Sequence, residues 1–122
     1  MFVKVCGITR EDDARVAVEQ GASAIGFIFW SKGKRYVDPD RAAAIVRTLP
    51  PFVTPVGVFV DETAAHVNEV ARRVRLGAVQ LHGSELVSIL EELEPPVVKA
   101  ISQIRSEEHT SELQSLRHLV CR

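Results

Sequence analysis

Residues 24–30 of this 122-residue chain read Ala24-Ile25-Gly26-Phe27-Ile28-Phe29-Trp30, an apolar run without polar alternation. Such a run predicts a strand buried on both faces, as in a parallel sheet covered by helices. Four further short apolar runs lie at Phe2–Cys6, Val56–Val60, Ala78–Leu81 and Val97–Ile101. We therefore predict five parallel strands.

The segments between these runs show helical periodicity. The first predicted helix is Glu11–Gln20, behind a Thr9-x-x-Asp12 capping pattern, and the second is Pro39–Leu49, with Asp38 as its N-cap. Parallel strands joined by helices are typical of an α/β fold.

Two further helices complete the alternation. The third is predicted from Thr63 to Arg75, with Gly77 as its C-terminal cap. The fourth begins at Ser84 and ends at Pro95-Pro96. The predicted strands start on average about 24 residues apart, so a closed barrel of eight units would need roughly 190 residues. The predicted fold class is thus a partial (β/α)8 TIM barrel, with about five strand-helix units of eight.

Composition excludes several classes of protein. Hydrophobic residues make up 46% and charged residues 25%, which is typical of a globular protein, and no apolar run approaches the roughly 20 residues of a membrane-spanning helix. With 15 Lys+Arg against 16 Asp+Glu, the chain has no basic excess for nucleic acid. Two cysteines and no signal segment predict a cytoplasmic location.

Six short motifs follow one another along the chain. They are Val3-Lys4-Val5-Cys6-Gly7-Ile8-Thr9, Gly21–Phe29, Lys34-Arg35-Tyr36-Val37, Val56–Val60, Val79-Gln80-Leu81-His82-Gly83 and Val98-Lys99-Ala100-Ile101. In order and spacing they resemble the phosphoribosylanthranilate isomerases, (β/α)8-barrel enzymes of tryptophan biosynthesis. The resemblance covers about Phe2 to Ile101.

The resemblance implies a reaction and a substrate. The reaction is the Amadori rearrangement of N-(5-phosphoribosyl)anthranilate to 1-(2-carboxyphenylamino)-1-deoxyribulose 5-phosphate. It needs a general acid and a general base, and it needs no cofactor because the iminium nitrogen acts as the electron sink. The partner implied is a small phosphosugar; the oligomeric state is left open.

Cys6 matches the catalytic base of this family and ends the first predicted strand, where barrel enzymes place reactive groups. The alternative is a small buried hydrophobic residue. Arg35 matches the residue expected to hold the anthranilate carboxylate, because a guanidinium pairs with a carboxylate through two hydrogen bonds. The alternative is a solvated basic loop with Lys32 and Lys34.

Gln80 and His82 resemble residues of the family that face the active site, and strand alternation puts them on one face. The alternative is a satisfied core histidine and a strand amide. No pair of histidines has the spacing of metal ligands, so we expect no metal.

Two parts of the family's site fall outside the resemblance. Its general acid is an aspartate that ends the sixth strand, and the substrate phosphate is held by loops after the seventh and eighth strands. We therefore expect these 122 residues alone to be inactive. Because the first and fifth strands keep unpaired backbone groups, we expect the chain to aggregate, dimerise or remain loosely packed.

The C-terminal segment resembles something else. Residues Arg105–Ser115 match the translation of a common sequencing-library adapter. We therefore divide the chain into an isomerase-like portion, 1–104, and an artefactual tail, 105–122. The alternative is a genuine helix, since Leu113, Leu116, Leu119 and Val120 recur at helical spacing.

Two other functions stay open. The chain could be a non-catalytic half-barrel that completes its sheet by pairing with another chain. A different phosphosugar barrel enzyme would be expected to show a catalytic lysine or a metal-binding histidine cluster, which the sequence lacks.

Overall fold

The computed structural model describes residues 1–85 and 87–99. Within them lies one parallel sheet with the strand order β1-β2-β3-β4-β5. The strands are β1 (Lys4–Cys6), β2 (Ala24–Ile28), β3 (Thr54–Phe59), β4 (Ala78–Leu81) and β5 (Val97–Lys99). The prediction of five parallel strands is confirmed.

The sheet is curved like the wall of a barrel. Its strands follow one another in chain order without the reversal of a doubly wound sheet. In a flat sheet β1 and β4 would be about 14 Å apart, because neighbouring strands are about 4.8 Å apart. Lys4 of β1 nevertheless donates a hydrogen bond from Nζ to Oε1 of Gln80 on β4. The sheet must therefore bend until these strands face each other, and the predicted partial TIM barrel is confirmed.

Three α-helices connect the first four strands: α1 (Glu11–Glu19), α2 (Pro39–Val46) and α3 (Ala64–Val74). Asp38 caps α2 as predicted, because its carboxylate accepts hydrogen bonds from the backbone N–H groups of Asp40 and Arg41. The hydroxyl of Thr63 caps α3 by accepting from the N–H of His66.

Two predicted caps are wrong. The N-cap of α1 is Arg10, which makes no side-chain capping bond, and the carbonyl of Thr9 instead accepts from Nε of Arg41. The C-cap of α3 is Arg75, in the left-handed conformation at φ 67°, rather than Gly77. Gly77 is needed in the sheet ladder, where its N–H donates to the carbonyl of Pro55.

The predicted fourth α-helix is wrong as well. A 3-10 helix, Val87–Glu92, lies there. The N–H of Ser84 donates to Oδ1 of Asp61 at 2.7 Å, which ties the start of this segment to the residues that follow β3. Leu86, the end of the fifth predicted strand at Ile101, and the adapter-like segment lie outside the described residues.

Strand alternation separates two faces of the sheet. The outer face packs against the helices through large apolar side chains, all buried: Ile25, Phe27, Phe59, Val79 and Leu81 from the strands and Ile45, Val67, Val70 and Val74 from the helices. The strand register places Cys6, Gly26 and Val56 together on the inner face. Lys4 and Gln80 share that face and are also buried. None of the helices described here has the length and apolar character needed to cross a membrane.

Candidate active site

Cys6 is the last residue of β1 and lies half-buried on the inner face of the sheet. The chain turns sharply after it, because Gly7 has a φ of 88° that few other residues adopt. The N–H groups of Gly7 and Ile8 both donate to the carbonyl of Gly26, at 3.0 and 3.1 Å. A Cβ atom on Gly26 would lie 3.0 Å from Sγ of Cys6. Gly26 thus holds the turn and leaves room for the thiol.

The loop between β2 and α2 brings Arg35 to the same place. It folds back on the strand that precedes it, since Tyr36 forms a bridge with Ile28 and the N–H of Val37 donates to the carbonyl of Ile28. The stem of Arg35 then lies across Gly7, where a Cβ atom would be only 2.7 Å from Cδ of Arg35. Gly7 therefore both turns the chain and admits the arginine beside Cys6.

Cys6 and Arg35 line one cavity of about 580 Å³. Thr9, Asp13 and Lys34 also line it. Because Val5 and Ala17 are among its walls, the cavity lies on the helix-facing side of β1 and reaches the turn after Cys6, whereas Gln80 and His82 on the inner face do not line it. The structure thus joins a thiol and a guanidinium that are far apart in sequence. The two groups meet at the carboxyl end of β1, where barrel enzymes place their reactive residues.

Replacing Gly7 with alanine should destabilise the chain more than replacing Gly21. Both glycines have positive φ, 88° and 98°, so an alanine at either position costs about 1–2 kcal/mol in backbone strain. Only at Gly7 does the new methyl group also meet the stem of Arg35, because nothing lies within 4 Å of a Cβ atom at Gly21. Urea unfolding of the two variants measures the difference in the free energy of unfolding. An equal loss in both variants would show that the contact with Arg35 contributes nothing to stability.

Gln80 and His82 lie at the end of β4 and in the residue just after it. Nε2 of Gln80 and Nε2 of His82 are hydrogen-bonded, and Oε1 of Gln80 accepts from Lys4. Gln80 is 1% exposed and Lys4 2% exposed, so this contact is shielded from water. The structure therefore brings together the predicted pair on the inner face and adds Lys4, which sequence reasoning had not assigned to the site.

A second polar cluster joins the carboxyl ends of β3, β4 and β5. The Glu85 carboxylate, whose side chain is 2% exposed, pairs with Nζ of Lys99 at 2.6 Å. It also accepts from the backbone N–H groups of Asp61 and Gly83. Lys99 in turn donates to the carbonyl of Gly83. These contacts fix the loop that follows His82. Sequence reasoning missed them, because no pattern links Glu85 to a lysine on the next strand.

Burial raises the pKa of Glu85, but the hydrogen bonds from Lys99 and from the backbone outweigh it and hold the pKa below its ordinary value of 4.5. A carboxyl group whose pKa is lower in the folded state stabilises the fold above the unfolded pKa and loses that contribution as pH falls through the folded value. We therefore expect Glu85→Gln to destabilise the chain at pH 7, with a deficit that shrinks as pH falls below 4.5. Urea unfolding across pH 3–7 measures this; a constant deficit would contradict it.

His, Cys, Asp and Glu side chains form no group of three or more that could hold a metal ion, as far as residues 1–85 and 87–99 show. A thiol can take a proton, a guanidinium can bind a carboxylate, and a histidine can donate or accept a hydrogen bond.

Comparison with known proteins places this arrangement in a family. The family model for N-(5'-phosphoribosyl)anthranilate isomerase matches residues 3–121. The isomerase of Trichlorobacter lovleyi is 49% identical over 104 residues, which cover 85% of this chain and 50% of that protein. The chain thus spans about half the length of the curated relatives it matches.

Solved structures agree with the sequence relatives. The enzyme of Thermotoga maritima superposes with a TM-score of 0.85 at 41% identity, over 99% of this chain and 60% of that one. A phosphoribosyl anthranilate isomerase crystallised with reduced 1-(o-carboxyphenylamino)-1-deoxyribulose 5-phosphate also gives a TM-score of 0.85 at 41% identity, over 98% of this chain and 62% of that one. With the family model matching nearly the whole sequence, this chain belongs to the N-(5'-phosphoribosyl)anthranilate isomerase family.

Proposed function

We propose that this chain supplies the base and the carboxylate-binding group of an isomerase that converts N-(5-phosphoribosyl)anthranilate into 1-(2-carboxyphenylamino)-1-deoxyribulose 5-phosphate. The observation that carries the proposal is the packing of the Arg35 stem on Gly7, directly after Cys6 at the carboxyl end of β1. A substrate with a carboxylate at one end and a reacting sugar carbon next to it needs those two groups close together.

In this reaction Cys6 is the general base. Once the ribose ring has opened to an iminium, the thiolate takes the proton from C2′ and the C–H electron pair forms the double bond of an enolamine. A thiol is mostly protonated at neutral pH, and a nearby cation favours its thiolate form. Arg35 packs on Gly7, the residue after Cys6, whereas the Nζ of Lys4 donates to Gln80. Arg35 therefore supports the thiolate better than Lys4 does.

Arg35 also binds the anthranilate carboxylate. Its guanidinium offers two parallel N–H donors, and the contact of its stem with Gly7 restricts where they point. This fixes the aromatic end of the substrate, so that the sugar end meets Cys6. Gln80 lies on the inner face of the sheet, as Cys6 does, and is hydrogen-bonded to His82. In the proposed complex these two side chains contact the sugar.

The general acid and the phosphate-binding loops come, by the family resemblance, from the sixth to eighth strand-helix units. The proposal is therefore tested on a chimera in which residues 1–99 of this chain are followed by the remaining half of the Trichlorobacter lovleyi relative. Fluorescence assays should show turnover of N-(5-phosphoribosyl)anthranilate by the folded chimera. A folded but inactive chimera would refute the proposal and favour the non-catalytic half-barrel.

The division of the chain at residue 104 is a separate proposal. It is supported by the match of residues Arg105–Ser115 to a translated adapter. Amplification of genomic DNA across this junction tests it: a reading frame that departs from the present sequence after residue 104 is the expected result, and the same frame would refute it.

A further inference from the structure

The buried contact between β1 and β4 carries information about the protonation of His82. Lys4 is a residue of the inner face that neither the base nor the carboxylate-binding group requires. Its ammonium group reaches across the sheet and donates to Gln80, and Gln80 contacts His82 in turn. Side chains from β1, from β4 and from the residue after β4 therefore form one continuous hydrogen-bonded chain.

The direction of this chain follows from the chemistry of its first member. A charged lysine has only donors, so the atom of Gln80 that faces it must be the carbonyl oxygen. If the amide were turned around, two donors would face each other away from water, which is costly for buried groups. The amide nitrogen of Gln80 must therefore point at His82.

The amide nitrogen can only donate, so Nε2 of His82 must accept and carry no proton. In a neutral imidazole the proton then resides on Nδ1, which becomes a donor. Lys4 thus sets the tautomer of a ring that it does not touch.

We propose that Lys4 is a positioning residue that holds His82 in the Nδ1–H tautomer, so that this N–H donates to an oxygen of the phosphosugar. The last step rests on the proposed function; the tautomer does not. The substrate class that fits the donor is one with hydroxyl or anionic oxygen next to the reacting carbon, since a donor is of no use to an apolar group.

Two substitutions that keep the volume of the side chain nearly unchanged test this tautomer, and a different change is expected from each. Lys4→Met removes the donor, so the amide of Gln80 is free to turn and His82 should populate both tautomers. Gln80→Glu keeps an acceptor for Lys4 but presents oxygen to His82, so Nε2 must become the donor and the tautomer should reverse.

The readout is the nitrogen-15 spectrum of His82, assigned by comparison with His82→Gln, because protonated and unprotonated ring nitrogens differ in chemical shift. The spectra are recorded on the 122-residue chain and, in parallel, on the chimera. The test can then be made on one sample if the other does not fold. We expect Nδ1–H in the wild type, a mixture in Lys4→Met and Nε2–H in Gln80→Glu.

A wild-type ring protonated on Nε2, or an unchanged tautomer in both variants, would overturn the assignment. In the active chimera, Lys4→Met should also lower kcat/KM about tenfold, the value of one hydrogen bond. If the tautomers follow the prediction while the wild-type chimera is folded but inactive, the positioning role stands and the proposed function fails. If the chimera is active but the tautomer of His82 changes in neither variant, the proposed function stands and the positioning role of Lys4 fails.

Discussion

Replacing Cys6 with serine in the chimera is expected to lower kcat by about 10²- to 10⁴-fold, the usual contribution of a positioned general base. A hydroxyl group has nearly the shape of a thiol, but it does not ionise at neutral pH and cannot take the C2′ proton. Because the substitution is small and Cys6 lies beside Gly26, which leaves room for it, the fold should be retained. Steady-state kinetics with N-(5-phosphoribosyl)anthranilate measures the effect.

Binding provides the control for this variant. The affinity for the reduced product analogue should stay within a few-fold of the wild type, because Arg35 and not Cys6 holds the carboxylate. A loss confined to kcat identifies a group that acts in the transition state. If turnover were unchanged, Cys6 would have no part in the chemistry, despite its position beside Arg35.

The 122-residue chain on its own is expected to turn the substrate over at least 10²- to 10⁴-fold more slowly than the chimera, since a positioned general acid alone contributes this much. The loss of a phosphate anchor should add to the deficit, because remote binding energy orients the reacting centre. The assay compares the two proteins at equal concentration and the same substrate level.

Fragment complementation separates a missing site from a misfolded chain. Adding the C-terminal half of the relative in trans to the 122-residue chain should restore some turnover, because β1 and β5 each pair with a single strand in the described residues. If the chain alone worked at the rate of the chimera, the sixth to eighth units would not supply the general acid.

Much of the fold could be predicted from the sequence. Short apolar runs marked all five strands, because strands buried on both faces leave no polar alternation, and the bounds Ala78–Leu81 agree with the structure. The start of β3 was missed by two residues. Pro55 lacks an N–H, yet it belongs to the strand, and its carbonyl accepts from the N–H of Gly77.

The caps were harder to predict because they depend on tertiary contacts. Thr9 has the residue type of an N-cap, but its backbone carbonyl accepts a hydrogen bond from Nε of Arg41 on α2. Helix α1 starts after Arg10 instead. Arg75 adopts a left-handed conformation that sequence statistics assign to glycine. Each residue wrongly predicted as a cap has a partner distant in the chain instead: Thr9 accepts from Arg41, and Gly77 donates to Pro55.

For the candidate site, residue types and positions were accessible to sequence reasoning, but contacts across the barrel were not. Strand alternation put Gln80 and His82 on one face, and their hydrogen bond agrees with this. The contact of Lys4 with Gln80 depends on how strongly the sheet curves, which no local pattern encodes. The same holds for the packing of Arg35 on Gly7, which depends on the fold of the loop after β2.

The most direct test of the account is a crystal structure of the chimera with the reduced product analogue bound. We predict that the guanidinium of Arg35 forms two hydrogen bonds with the anthranilate carboxylate and that Sγ of Cys6 contacts the sugar at C2′. A carboxylate bound elsewhere, with Cys6 away from the sugar, would contradict the central claim that these two side chains form one catalytic site.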